Sequence, residues 1–130
     1  GDESRDFVYV TDIADATVAA TEGEGLGGAT INIGGGGRVA ILEVARRIAA
    51  AFGEEHEPVV TGMFRAGEVR HMEADISAAR RRLGYAPSVS IEEGIRRLVT
   101  WVRAQPVHED RSAQAFEELK ERGLSRGDEG

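Results

Sequence analysis

A short apolar run, Ala29-Thr30-Ile31-Asn32-Ile33, ends in the glycines Gly34 to Gly37, and an amphipathic segment follows. Ile41, Leu42, Val44, Ala45, Ile48 and Phe52 recur at helical spacing, Glu43, Arg46 and Arg47 fall off that face, and Gly53 is placed to end the helix. Strand, glycine turn and helix in this order predict an α/β chain. The order also invites a dinucleotide cradle, but the G-x-G-x-x-G spacing counted from Gly34 meets Val39 where its last glycine belongs. The region about 20 positions on, Gly53 to Glu57, holds no strand for an acidic residue to end. The glycines read as a flexible turn.

Other elements follow from local pattern. Phe7-Val8-Tyr9-Val10 is a β-branched and aromatic run almost at the first residue, which predicts a strand and a chain that opens in mid-domain. Asp12 is placed to cap a helix through Ile13, Ala16 and Ala20, with Asp15 adding negative charge to its first turn. Glu22 to Gly28 is a loop by composition. Pro58-Val59-Val60 and Val69 to Ala74 are further strand candidates, flanking the loop Phe64-Arg65-Ala66-Gly67-Glu68. Asp75 can cap a helix that carries Arg80, Arg81 and Arg82 at its negative end and stops at Gly84. Ser90-Ile91-Glu92-Glu93 fits a capping box, and the helix it starts is expected to bury Ile91, Ile95, Leu98, Val99 and Val102. Apolar density falls from Pro106 onward, where a short helix from about Ser112 to Arg122, with Phe116 and Leu119, precedes a charged end. Residues 1–105 are therefore expected to form the main portion and residues 106–130 a peripheral tail.

Composition narrows the function. A length of 130 residues suits one domain and needs no disulfide or metal to hold a core. The absence of cysteine excludes a disulfide framework, a thiolate zinc site and a cysteine nucleophile. Asp plus Glu at 23 against Lys plus Arg at 16 gives a net charge of −7, which argues against a nucleic-acid partner. No run approaches the roughly 18 apolar residues of a membrane span, and GDESRDF is no signal peptide, so no membrane partner and a cytoplasmic setting are expected. His56, His71 and His108 show no metal-ligand spacing, and no serine sits in a G-x-S-x-G turn.

Two arginines stand out by setting. Arg5 precedes the first expected strand and Arg65 lies in a Gly-containing loop; a guanidinium fork there suits a diphosphate, although an ordinary surface charge explains either residue alone. Glu68 offers two acceptor oxygens to the vicinal hydroxyls of a sugar, or else a local ion pair to Arg65 or Arg70.

The ordered set Arg5-Asp6-Phe7-Val8-Tyr9-Val10-Thr11-Asp12, Asn32-Ile33-Gly34-Gly35-Gly36, Arg65-Ala66-Gly67-Glu68-Val69-Arg70-His71, Ala74-Asp75-Ile76-Ser77-Ala78-Ala79-Arg80, Leu83-Gly84-Tyr85-Ala86-Pro87 and Glu92-Glu93-Gly94 resembles the C-terminal part of the NAD-dependent epimerase/dehydratase family. These are extended short-chain dehydrogenases/reductases that act on nucleotide sugars, such as UDP-glucose 4-epimerase and the GDP- and dTDP-sugar dehydratases. The resemblance spans about positions 5 to 103 and implies a Rossmann-type enzyme of which this chain holds the nucleotide-sugar side without the complete dinucleotide-binding sheet. It implies that Arg5 matches the arginine of the R-D-F/Y motif, which contacts the substrate diphosphate. Arg65 matches the arginine of R-P-G-D, which reaches the same phosphates, and Glu68 matches its ribose-binding acid. Ala66 stands where the family has proline and Glu68 where it has aspartate.

The family's catalytic pair, Tyr-x-x-x-Lys, has no match: Tyr9 is followed at that offset by Ile13 and Tyr85 by Val89, and Lys120, the sole lysine, is far from both. The resemblance thus implies an N-terminal half elsewhere that carries catalysis and binds NAD, no catalytic or cofactor residue on this chain, no turnover by it alone, and an epimerase ahead of a dehydratase. A chain lacking its larger half is expected to expose apolar surface and to form a homodimer. The alternative is a self-standing, non-catalytic α/β binding or assembly module derived from the same family.

Overall fold

In the computed structural model, which describes residues 1–53, 57–65, 67–107 and 109–127, the chain runs β1 (Ser4–Asp6), α1 (Val10–Glu22), β2 (Arg38–Ala40), α2 (Ile41–Phe52), β3 (Met63–Arg65), α3 (Ser77–Leu83), α4 (Ile91–Arg103), α5 (Ser112–Glu121) and β4 (Ser125–Gly127). His56, His108 and Ala66 lie outside the described residues. β1 and β2 pair antiparallel, with Ser4 opposite Ala40 and Asp6 opposite Arg38. β3 and β4 form a second antiparallel pair, with Met63 opposite Gly127 and Arg65 opposite Ser125. A lone parallel bridge joins Ser4 to His71: the Ser4 N–H donates to the Arg70 carbonyl at 3.0 Å and the Met72 N–H to the Ser4 carbonyl at 3.1 Å. The class is α/β, and among the described residues each sheet has two strands.

The helices signalled by period and end chemistry stand where expected. α2 stops at Gly53 in the left-handed region, φ 79°, and α3 at Gly84, φ 63°. The Ser90 hydroxyl oxygen accepts the Glu93 N–H at 3.2 Å, which is one half of the expected box; the Glu93 carboxylate turns to Arg96 and Arg97 instead. α2 packs on α4, where Arg103 donates to the Phe52 carbonyl at 2.9 Å and so satisfies an acceptor in the last turn of α2. Ile95 and Val99 of α4 are buried, whereas Leu98 and Val102 stay 45% and 39% exposed, so its apolar face is only partly covered.

Several strand expectations fail. Phe7 to Val10 is not a strand: the Tyr9 carbonyl accepts the N–H groups of Asp12 and Ile13, and α1 starts at Val10. The Tyr9 ring lies under the Arg97 guanidinium, 5.2 Å from its centroid, so tertiary stacking overrides local β preference. Ala29 to Ile33 has no ladder partner among the described residues, although Ile31 and Ile33 pack against the core. Pro58 to Val60 is coil with Val59 and Val60 exposed, and Val69 to Ala74 contributes only the bridge at His71. Arg65 belongs to β3 and not to a loop.

Asp12 does not cap α1. It sits inside the first turn, 3% exposed, and accepts the N–H groups of Ser88 and Val89, each at 3.2 Å, together with the Ser88 hydroxyl. It thereby ties α1 to the segment between α3 and α4. Asp75 accepts the Ser77 N–H at 2.9 Å, although the cap position itself is Ile76.

The core is thin. Ala16, Ile76, Ala79 and Tyr85 form its buried cluster, with Ile31, Ile33, Ala74 and Leu83 packed against it. It holds few large side chains, so polar anchors carry a large share of the specificity.

Burial by itself would raise the Asp12 pKa, but the Ser88 hydroxyl, the Val89 and Ser88 N–H groups and the Arg97 charge hold it below the ordinary value of 3.8. A folded-state pKa below the unfolded one gives stability that is complete above about pH 4 and lost as pH falls through the folded value. The urea midpoint should therefore drop as pH falls below about 4, and less steeply in Asp12→Asn. At neutral pH, Asp12→Ala should cost about 2 kcal/mol, because it removes the hydrogen bonds that a buried carboxylate accepts from Ser88 and Val89; an equal midpoint for Asp12→Ala and the parent chain would exclude this role.

Candidate functional site

The strand β1 presents Arg5 and Asp6 to opposite sides, and both are put to work. The Asp6 carboxylate accepts the Gly35 N–H at 2.7 Å and the Ala74 N–H at 3.3 Å, joining three distant segments at one point. The glycines must be glycine for this. A Cβ at Gly35 would lie 1.9 Å from the Phe7 carbonyl oxygen, and one at Gly34 would lie 2.2 Å from an Asp6 oxygen and 2.8 Å from the Ala74 Cβ. The Gly34 carbonyl accepts the buried Tyr85 hydroxyl at 2.7 Å.

These contacts decide the cofactor question for this run. The Gly35 N–H is spent on Asp6, and the run leads into β2 before α2 begins, so no helix N-terminus follows it directly. The residues do not fit a dinucleotide phosphate cradle. Tyr85 does not fit a catalytic tyrosine. Burial pushes its phenol above the ordinary value of 10, and the negative Asp12 and Asp6 push in the same direction, so it remains a protonated donor.

Arg5 lies on the other side of β1, with its side chain 20% exposed. Its Nη1 donates to the Ser4 carbonyl at 2.9 Å and the Arg70 carbonyl at 3.0 Å, and these two backbone bonds fix the guanidinium plane. Its Nη2 donates to Glu68 Oε1 at 3.0 Å. Glu68 therefore pairs with Arg5, 63 positions away in the chain, and not with Arg65 or Arg70. Arg70 instead lies 3.6 Å from Asp2. Glu68 and Arg65 are the ends of one tight turn, in which the Glu68 N–H donates to the Arg65 carbonyl at 3.1 Å and Gly67 takes a left-handed φ of 79°. Arg65 is exposed at the end of β3. The structure thus brings Arg5 and Glu68 into contact and joins Arg65 to them through the turn.

Chemically this corner holds an anchored guanidinium whose outward nitrogen faces a carboxylate, beside a second, exposed arginine. An anion that displaces Glu68 from Arg5 finds a pre-oriented donor, and the released carboxylate can accept hydroxyl protons. His71 borders the corner, with its Nδ1 2.9 Å from the Ser4 hydroxyl. No group of three metal-ligating side chains occurs among the described residues, and no described helix is long and apolar enough to cross a membrane.

Sequence reasoning missed Asp6, Asp12 and Tyr85 as anchors. In a chain with 23 acidic residues, nothing in residue type separates a buried aspartate from a solvated one. Each takes its role from partners 29 to 77 positions distant.

Comparison with known proteins places these features in context. Residues 1–98 match the family model for GDP-mannose 4,6 dehydratase. The chain is 44% identical over 102 residues to dTDP-L-rhamnose 4-epimerase of Burkholderia thailandensis, covering 78% of this chain and 28% of that protein. It is 37% identical over 103 residues to UDP-glucose 4-epimerase of Mycolicibacterium smegmatis, covering 79% and 32%. Among solved structures it is similar to UDP-glucose 4-epimerase of Thermotoga maritima with UDP-glucose, at a TM-score of 0.72 and 34% identity, over 79% of this chain and 32% of that one. A second is UDP-glucuronic acid 4-epimerase of Bacillus cereus with NAD, at 0.68 and 31%, over 79% and 31%. The chain spans about a third of the length of these relatives.

Proposed function

The chain belongs to the NAD-dependent epimerase/dehydratase family, and on that premise we propose that it is the C-terminal, nucleotide-sugar-binding portion of an epimerase or dehydratase. Residues 1–105 hold the donor by its diphosphate and ribose, so that the sugar ring meets a nicotinamide bound by an N-terminal half. That half supplies the catalytic pair and the NAD site; when bound, the cofactor accepts and returns a hydride. This chain contributes orientation and not proton or hydride transfer. The four relatives named above are 4-epimerases and the matching family model is that of a 4,6 dehydratase, so the proposal covers both reactions.

The observation that carries the proposal is the Arg5–Glu68 pair. Arg5 is held at its backbone-facing nitrogen and leaves its outward nitrogen to one anionic oxygen, which is the arrangement a phosphate needs. Glu68 occupies that place in the structure. Arrival of the diphosphate moves it toward the ribose hydroxyls.

Further support comes from uncovered apolar surface. On the outer side of α1, Val10 and Val18 are 69% and 53% exposed, and the Thr17 and Thr21 hydroxyls donate back to helix carbonyls. This face is the surface that the N-terminal half covers. The isolated chain should associate with itself through the same face. Sedimentation should show a dimer that Val10→Glu dissociates, and a dimer indifferent to that change would require another interface. The same exposed face also suits the alternative, a non-catalytic assembly module, which differs in binding no nucleotide.

Calorimetry separates the two, because Arg5 and Glu68 have opposite effects on different probes. Arg5→Ala should weaken both UDP and pyrophosphate by about tenfold or more. Glu68→Ala should tighten pyrophosphate about threefold, since a competing carboxylate leaves Arg5, yet weaken UDP about tenfold, since the ribose acceptor is lost. UDP affinity insensitive to both changes would overturn the assignment.

A further inference from the structure

We infer that the C-terminal segment Ser112–Gly127 is a strap that positions Arg65 and so governs its part in diphosphate capture; the inference rests on the nucleotide-sugar reading above. The two arginines of the corner are held very differently. Arg5 stands on β1, which is fixed by the β2 ladder, by the bridge to His71 and by the grip of Asp6 on Gly35 and Ala74. Arg65 stands on β3, whose three residues are all exposed and whose ladder partner among the described residues is β4.

That partner comes from the part of the chain beyond residue 98, where the family model stops. It is a built unit and not a loose end. The Ser112 N–H donates to Asp110 Oδ1 at 2.8 Å at the start of α5. At its other end Gly123 takes a left-handed φ of 66° while its N–H donates to the Lys120 carbonyl at 2.9 Å, and the Leu124 N–H donates to the Leu119 carbonyl at 2.9 Å. This is a glycine helix stop, and it reverses the chain directly into β4. β4 then lies on the β3 edge with Ser125 in register with Arg65.

The strap therefore adds a strand in cis to an edge that has no other partner among the described residues, the same backbone chemistry by which extended peptides add to open sheets. A two-stranded pair is marginal in water, so β3 is ordered while the strap is docked and released when it leaves. Arg65 then pairs with a phosphate in the docked state only, whereas Arg5, anchored independently, is indifferent to the strap.

Two variants test this: a chain ending at Arg111, and Gly123→Val. The Gly123 side has open space but the wrong backbone angle for a β-branched residue, so the second variant unsets the turn without removing the strand. Hydrogen exchange of the β3 amides is the ligand-free readout and should accelerate in both. Pyrophosphate titration is the second. Arg65→Ala should cost about tenfold in the full chain and less than about twofold in either strap variant, while Arg5→Ala costs the same in all three. An Arg65→Ala cost that persists after truncation, or β3 exchange that does not change, overturns the strap. Accelerated exchange in both variants with no pyrophosphate uptake by the full chain supports the strap as the support of β3 and removes the nucleotide-sugar reading instead.

Discussion

One carboxylate holds the framework on which the candidate site rests. Asp6 accepts N–H groups from Gly35 and Ala74, and so binds β1 to the glycine run and to the segment that enters α3. Those donors come from stretches without regular structure, where a buried unpaired N–H would cost about as much as a lost hydrogen bond. Because the approach is so close, Gly34 and Gly35 tolerate no side chain. The same strand then carries Arg5 on its opposite side, so the rigidity that Asp6 confers on β1 is delivered to the guanidinium.

A second carboxylate repeats the device. Asp12 gathers the Ser88 and Val89 N–H groups and joins α1 to the entrance of α4, beside a core built largely of alanines, isoleucines and one tyrosine. With so little large apolar volume inside, a few charged hydrogen bonds decide which segments meet.

The sequence revealed helices better than strands, for a physical reason. α2 with Gly53 and α4 with Ser90 are specified by contacts within a few residues, which a local pattern records. The strands are three residues long and exist only through partners far along the chain; β3 is completed by residues at the opposite end. Phe7 to Val10 and Ala29 to Ile33 have strand composition but lack a ladder among the described residues, since composition does not supply a partner. The site divides in the same way. Arg5, Arg65 and Glu68 were nominated from their setting and from the family resemblance, but the contact between Arg5 and Glu68 is a tertiary fact. Asp6 was in view inside the Arg5-Asp6-Phe7 motif without any sign of what it grips.

In the proposed function a nucleotide diphosphate sits on Arg5, at the position that Glu68 holds in the structure. A crystal structure of the chain, or of a longer protein containing it, with UDP bound tests this directly. The prediction is a phosphate oxygen within hydrogen-bond distance of Arg5 Nη2, with Nη1 still on the Ser4 and Arg70 carbonyls and the Glu68 carboxylate turned to the ribose hydroxyls. A nucleotide seated elsewhere while the Arg5–Glu68 pair remains closed would contradict it.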